Sequence, residues 1–248
     1  MLGSIRIATV RGIPVKVHFS LLLLFGLLVL SFGLAGVPAG AILLGSVLLH
    51  ELGHSVVAQR FGIQISSINL HLLGGTAVMA DTPTKPVHEI LIAAAGPAVS
   101  FVLAALAYGA AGRLSFDPSE PHGLLAYAAT VNLAMGVFNL IPAFPLDGGR
   151  IFRAVLSMGL GPYRGTRLAA RISRGFAVLF ALGGLFGGAP TLVLIGIALF
   201  VMSGHELRAA ELAEARRKAT AYAEDWFKLS WAPPRAPGGA GPVIDLKT

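Results

Sequence analysis

The stretch LLHELGHSVVAQRFGI, residues 48–63, places the pattern His-Glu-x-x-His inside an otherwise apolar segment. If this segment is a helix, His50 and His54 share one face, so both imidazoles can reach a single metal ion. Glu51 lies about 100° around the helix from His50, where it can reach a water held by that ion. The stretch therefore predicts a metal site on a helix, with a carboxylate beside it that can act as a base.

The composition predicts that lipid is much of the solvent of this chain. Of its 248 residues, 55% are hydrophobic and only 12% are charged, whereas soluble globular proteins carry about 25% charged residues. The chain has no cysteine, which excludes disulfides and thiolate ligands. Any bound metal must therefore be held by His, Asp or Glu side chains.

The long apolar segments predict an all-α polytopic membrane protein with about six transmembrane helices, since no barrel-like alternation is present. The first four predicted spans cover residues 17–37, 41–59, 87–111 and 123–140, with a first turn at Pro38 and Gly40 and a further helix over about 149–158. Two more spans are predicted within 175–204, the first extended from about Arg167 and the break at Gly-Gly-Ala-Pro, residues 187–190. One long span over 175–204 is the alternative.

Residues 63–80 have a different pattern, because they alternate, are rich in β-branched side chains and contain Gly74-Gly75. This pattern predicts a β-hairpin between the second and third spans.

Basic residues fall between the apolar segments, four of them at Arg164, Arg167, Arg171 and Arg174. With six spans, the one basic residue on the far side is Arg113, so the positive-inside rule places both termini in the cytoplasm. This distribution predicts no nucleic-acid partner. It also predicts a membrane domain over 1–208 and a cytoplasmic tail over 209–248, first helical and then disordered.

The charged groups within the predicted spans indicate function, because each costs about 3 kcal/mol to insert. This cost favours a metal site over a chance pentapeptide. Asp147 is the best candidate for a third ligand, since it follows the helix-breaking Pro142 and Pro145, and Gly148-Gly149 permits close approach of the chain. An ordinary Asp-Gly turn at the membrane surface explains the same spacing equally well.

Three blocks of the sequence resemble the site-2 proteases, the zinc intramembrane metalloproteases. They are LLHELGHSVVAQRFGI (48–63), HLLGGTAVM (71–79) and NLIPAFPLDGGRI (139–151). The resemblance covers about residues 8–208 and is closest to the compact six-span branch, without PDZ or cystathionine-β-synthase-type domains. It implies one Zn²⁺ per chain, Glu51 as the general base and three metal ligands, His50, His54 and Asp147.

The resemblance also implies a substrate-binding region. The hairpin at Gly74 and Gly75 would re-enter the membrane and guide an extended substrate by strand addition. Asn139 would line the site and hold substrate or the developing oxyanion, although a helix-end amide capping free carbonyls is the alternative. One departure concerns Ser100, because the family often has Asn a few residues after the Gly-Pro of the third span. This leaves a secondary contact of the site in doubt.

The implied function is hydrolysis of single-span membrane proteins within or near the bilayer, as in regulated intramembrane proteolysis. Anti-sigma factors, precursor sigma factors and leftover signal peptides are the expected substrates, and the cell (inner) membrane is the expected location, with a membrane regulatory partner as a further expectation. Two rivals remain: a metal transporter, which needs exchangeable sites along a path, and a catalytically silent relative that only binds membrane helices.

Overall fold

The structure is a computed structural model that describes residues 3–72, 74–80, 83, 85–120 and 122–231. Its strands are β1 (Ser4–Val10), β2 (Ile13–His18), β3 (Ile65–His71) and β4 (Gly74–Met79). Its helices are α1 (Leu21–Phe32), α2 (Gly36–Arg60), α3 (Pro86–Ala111), α4 (Gly123–Asn139), α5 (Asp147–Leu160), α6 (Pro162–Phe186) and α7 (Pro190–Ser230).

Helices α1 and α2 form a tight helical hairpin. A short 3-10 turn over Gly33–Ala35 connects them, and a Cβ added at Gly40 would lie 2.6 Å from the ring of Phe25. The predicted first span was therefore wrong at both ends. Residues 17–18 belong to β2, and the chain turns before Pro38, which lies in the first turn of α2.

Four helical stretches of the described chain are long and apolar enough to cross a bilayer, and a shorter apolar helix accompanies them. The four are Leu21–Arg60, Pro86–Ala111, Pro162–Phe186 and Pro190–Phe227, and the shorter one is Gly123–Asn139. The chain is thus a predominantly helical, multi-pass membrane protein, as predicted. The number of six spans stays a prediction.

A four-stranded sheet in the order β1-β2-β3-β4 accompanies the helices. The outer pairs are antiparallel and β2 runs parallel to β3. The predicted hairpin over 63–80 is present as β3 and β4, with Gly74 directly after the turn, while its entry into the membrane stays a prediction. The first two strands were not predicted, so a purely α-helical class was wrong in this respect.

The sheet packs against the ends of α2 and α3 through an apolar core. Its fully buried members include Val15 on β2, Ile68 on β3, Ala58 on α2 and Ile92 on α3. Burial of these side chains is worth roughly 1.5–3 kcal/mol for each large aliphatic group. This core holds β4 beside the helix that carries the His-Glu-x-x-His pattern.

The fourth predicted span, 123–140, corresponds to α4, and the proline-rich segment 140–146 separates it from α5. The break follows from Pro142 and Pro145, which cannot continue a helical hydrogen-bond ladder. Phe144 in this segment is buried, and its backbone N–H donates to Ser173 Oγ of α6 at 2.9 Å. The helix predicted from about residue 149 begins two residues earlier, at Asp147, and ends at Leu160.

The C-terminal region consists of α6 and α7, separated at 187–189 as the Gly-Gly-Ala-Pro sequence predicts. Helix α7 is 41 residues long and passes the predicted domain boundary at residue 208 without a break. The division into a membrane domain and a tail therefore stays a prediction. The part of the tail predicted to be disordered, 232–248, lies outside the described residues.

Candidate metal centre

His50, His54 and Asp147 meet in the interior of the helix bundle. Nε2 of His50 lies 3.1 Å from Asp147 Oδ2, and Nε2 of His54 lies 3.2 Å from the same oxygen. The three side chains offer one ligand atom each within 4.8 Å of one another. The three residues are only 4%, 3% and 7% exposed, so they form a closed polar cluster in an apolar surrounding.

The two nitrogen-to-oxygen separations of this cluster suit a tetrahedral metal ion. With zinc-to-nitrogen and zinc-to-oxygen bonds of about 2.0–2.1 Å, neighbouring donor atoms lie about 3.3 Å apart. The two distances to Asp147 Oδ2, 3.1 and 3.2 Å, are close to that value. Two imidazoles and a carboxylate are a common donor set for catalytic zinc, in which the fourth position is left for water or substrate.

Helix α3 orients both imidazoles. Nδ1 of His54 donates to the Ile92 carbonyl at 2.7 Å, and Nδ1 of His50 is 2.9 Å from Ser100 Oγ. Because residues 92, 96 and 100 are four apart, they lie on one face of α3. A partner on Nδ1 leaves Nε2 free to bind a metal and fixes the ring plane. Ser100, which stands where the family often has Asn, thus contacts the ring of His50.

Glycines let α2 and α3 approach closely at this point. A Cβ at Gly96 would lie 2.6 Å from His50 Nε2 and would also overlap the ring of His54. A Cβ at Gly53, on α2, would lie 2.9 Å from the Ala95 carbonyl oxygen. The Gly-Pro pair of this span is visible in the sequence, but the room that Gly96 makes for both rings depends on how the two helices pack.

Asp147 reaches the imidazoles because α5 begins against the proline-rich segment. Any Cβ on Gly148 would overlap the backbone of Leu140, and one on Gly149 would lie 2.6 Å from the Ala143 carbonyl carbon. Asp147 is the first residue of α5, where the helix dipole favours a negative charge. Its other oxygen, Oδ1, lies 3.8 Å from Arg150 Nη1.

Glu51 is held by the edge of the sheet. The backbone N–H of Ala77 donates to Glu51 Oε2 at 3.1 Å. A Cβ at Gly75 would lie 2.7 Å from Glu51 Cγ, so this glycine lets β4 approach the side chain. Since β4 is the last strand of the sheet, the Glu51 side chain lies at the outer edge of β4. In the sequence Glu51 directly follows His50, so the carboxylate is next to the metal-binding cluster.

The predicted substrate-binding residues are less closely connected to the cluster. Gly75 contacts Glu51 as described, whereas Gly74 has a positive φ of 124° and open space around its Cβ position. Nδ2 of Asn139 donates to the Met135 carbonyl at 2.9 Å, which is the helix-end alternative raised above. Roles of these residues toward substrate stay predictions.

A buried ion pair that sequence reasoning missed supports the same region. Glu89, in the first turn of α3, is 8% exposed and accepts a hydrogen bond from Arg153 Nε at 2.9 Å. Nη1 of Arg153 is also 3.6 Å from Glu206 Oε2. The pair joins α3 to α5, the two helices that orient the imidazoles and carry Asp147, and extends to α7.

Comparison with known proteins identifies relatives over most of the chain. A zinc metalloprotease of Methanocaldococcus jannaschii is 37% identical over 207 residues, covering 82% of this chain and 60% of the relative. A putative zinc metalloprotease of Synechocystis is 33% identical over 244 residues, covering 89% of this chain and 64% of the relative. The chain thus spans less than two thirds of the length of these curated relatives.

The fold is similar to a solved structure, the site-2 protease from Methanocaldococcus jannaschii, with a TM-score of 0.64 and 34% sequence identity. The similarity covers 82% of this chain and 95% of the solved one. The model of peptidase family M50 matches residues 39–120 and 115–182, which together exceed half of the chain. The chain therefore belongs to peptidase family M50, the family of the site-2 proteases.

Proposed function

We propose that the chain is an intramembrane zinc metalloendopeptidase that hydrolyses peptide bonds of single-span membrane proteins within or near the bilayer. The observation that carries the proposal is the meeting of His50, His54 and Asp147, with Glu51 next to them on the same helix. A buried polar cluster of this kind is costly in a membrane protein unless its groups are paired or bind a metal. The names of the relatives, which are zinc metalloproteases, support zinc as that metal.

The roles of the residues follow from their positions. His50, His54 and Asp147 would hold the zinc, which would supply Lewis acidity for activating a water and polarising the scissile carbonyl. Glu51 takes the proton of the attacking water and passes it to the leaving amine. The N–H of Ala77 keeps the Glu51 carboxylate in place through its 3.1 Å hydrogen bond.

The outer edge of β4 is the proposed substrate-binding surface. Within the described sheet, β4 has a strand partner on one side, and the N–H of Ala77 on its other side points to Glu51. A substrate helix that unwinds locally offers an extended segment, and backbone hydrogen bonds to a sheet edge can hold it. Gly74 and Gly75 lie at the start of this edge, and Asn139 is the proposed contact for substrate or the oxyanion.

The proposed setting is the cell (inner) membrane with both termini in the cytoplasm. Six spans are proposed, formed by α1, α2, α3, the broken pair α4–α5, α6 and α7. Anti-sigma factors or precursor sigma factors are proposed as substrates, and a membrane regulatory partner and a separate cytoplasmic tail from residue 209 belong to the same proposal.

The decisive variant is Glu51→Gln, which keeps the volume of the side chain but removes the base. A tagged single-span membrane protein that the wild-type chain cleaves on co-expression is the substrate, and zinc is measured on the purified protein. We expect cleavage to fall by about 10²–10⁴-fold, with one zinc still bound per chain. Unchanged cleavage by the zinc-loaded variant would remove Glu51 from the mechanism.

A matched control makes the same chemical change elsewhere. Glu211 is an exposed residue of α7, and Glu211→Gln is expected to keep wild-type cleavage and zinc content.

Proteoliposomes test the transporter alternative: zinc flux without peptidase activity would favour transport. A zinc-loaded wild-type chain that retains single-span proteins but cleaves none of them would favour a silent, helix-binding relative.

A further inference from the structure

Four arginines form a stripe on one face of α6. Arg164, Arg167, Arg171 and Arg174 are three or four residues apart, so their side chains lie along the same side of the helix. The opposite side packs against the neighbouring helices through small buried residues, which are Gly165, Thr166, Ala169, Ala170, Ser173 and Ala177. Arg164, Arg167 and Arg171 of this stripe are exposed and point away from the bundle.

The arginines of this stripe have no acidic partner among the described residues. The ion pairs of the described chain involve other arginines, such as Arg113 with Glu120 and Arg153 with Glu89. Nε of Arg174 is buried and lacks a hydrogen-bond partner within the described chain, and its guanidinium lies 5.4 Å from the centre of the Phe200 ring. Arg174 is thus partly buried against α7, while Arg164, Arg167 and Arg171 carry uncompensated positive charge on the exposed surface of α6.

The outward face of α6 changes character directly after this stripe. From Gly175 onward it carries exposed apolar side chains, among them Val178, Leu182 and Leu185. The distance along the helix from Arg167 to Gly187 is about 30 Å, which matches the hydrocarbon thickness of a bilayer, also about 30 Å. This places Arg164 and Arg167 at headgroup level and Arg171 and Arg174 one to two turns deeper.

We propose that the arginine stripe of α6 binds the phosphodiester group of an anionic phospholipid in the adjoining leaflet. A guanidinium presents a planar set of N–H donors that matches phosphate oxygens. Unpaired arginines near the hydrocarbon are costly, and a headgroup phosphate drawn toward the exposed Arg171 relieves that cost. The ligand class is a lipid with net negative charge, because anionic leaflets attract such basic segments.

The test uses the full chain in phosphatidylcholine vesicles that contain spin-labelled phosphatidylglycerol or spin-labelled phosphatidylcholine. The measured quantity is the association constant of each label with the protein. We expect a preference for phosphatidylglycerol of about tenfold, since each arginine contributes roughly a factor of five at an anionic surface and salt screens part of it. Replacing Arg164, Arg167 and Arg171 together by Gln is expected to abolish the preference.

The matched control removes three charges from another part of the chain, Arg216, Arg217 and Lys218 on α7, which are exposed. This control variant is expected to keep the preference. The proposal is overturned if the Gln variant of α6 keeps it, if the control loses it equally, or if millimolar inorganic phosphate displaces the labelled lipid, which would indicate a free-phosphate site. Should the triple variant not fold, Arg171→Gln alone decides, with an expected loss of about twofold, its share of the screened tenfold preference.

Discussion

Two polar regions of this membrane protein solve the problem of charge in lipid in opposite ways. At the metal centre, polar side chains turn inward, and α3 provides the partners of both imidazoles through Ile92 and Ser100. On the arginine stripe of α6, Arg164, Arg167 and Arg171 turn outward, away from the small residues that pack the helix. The metal centre therefore depends on how α2, α3 and α5 pack, while the arginine stripe depends on what surrounds the protein.

The largest expected effect on zinc affinity comes from the loss of a ligand at the metal centre. Asp147→Asn removes the carboxylate charge that faces both imidazoles, so zinc affinity should fall by more than about 100-fold, the upper range for changes behind the ligands. Chelator competition on the purified chain measures this affinity. Asp117→Asn is the matched control and is expected to keep wild-type zinc affinity. Hydrogen bonds from Ser119 hold the pKa of Asp117 below its usual value and keep it charged, so the same charge is removed, but from a loop residue outside the metal centre. Wild-type zinc affinity in Asp147→Asn would place the metal elsewhere.

A smaller change tests whether helix packing alone shapes the centre. Gly96→Ala adds one methyl group where it would overlap both imidazole rings, so we expect zinc affinity to fall by about 10–100-fold. Overpacking should also destabilise the fold by about 1–3 kcal/mol. Gly109→Ala is the control on the same helix, since its Cβ would meet open space. Equal zinc affinities in the two variants would contradict the close packing of α2 on α3.

The hydrogen bond behind one imidazole gives a still smaller effect. Ser100→Ala leaves His50 Nδ1 without its 2.9 Å partner, so the ring loses one constraint on its orientation. We expect zinc affinity to fall by about tenfold, the lower end of such changes. Ser203→Ala is the matched control, because Ser203 is also buried but bonds to its own helix at Phe200. If both variants bind zinc alike, Ser100 does not orient His50.

The smallest effect is expected when the arginine stripe of α6 is changed and the zinc affinity of the metal centre is measured. Replacing Arg164, Arg167 and Arg171 by Gln should leave zinc affinity within about twofold of wild type, since distant sites without shared partners act independently. The same chelator competition measures it. A tenfold loss would show that the two regions are coupled through α6 and the packing of Ser173 against Phe144.

Local patterns of the sequence predicted the parts of the site that lie on one element. His50 and His54 are four residues apart on one helix, so their convergence needs no knowledge of the fold. Asp147 was left open between ligand and turn by its spacing, and the resemblance to a family favoured the ligand. The β3–β4 hairpin was also predicted, because its alternation and its glycines are local features.

Features that depend on tertiary packing were missed. Strands β1 and β2 were not predicted, because residues 17–20 merge with the apolar run of α1 and β2 pairs with the distant β3 in parallel. The roles of Ser100 and Gly96 appear only once α3 is packed on α2. The pairing of Glu89 has no local signal in the sequence, because its partner Arg153 is 64 residues away in the chain.

Zinc K-edge X-ray absorption on the purified full chain and on its His54→Ala variant measures which ligands surround the zinc. For the wild type, we expect nitrogen and oxygen neighbours at about 2.0–2.1 Å with the outer-shell signal of two imidazole rings. For the variant, any zinc that remains should show one ring. Two rings in both proteins, or no imidazole signal in the wild type, would contradict a metal centre built from His50, His54 and Asp147.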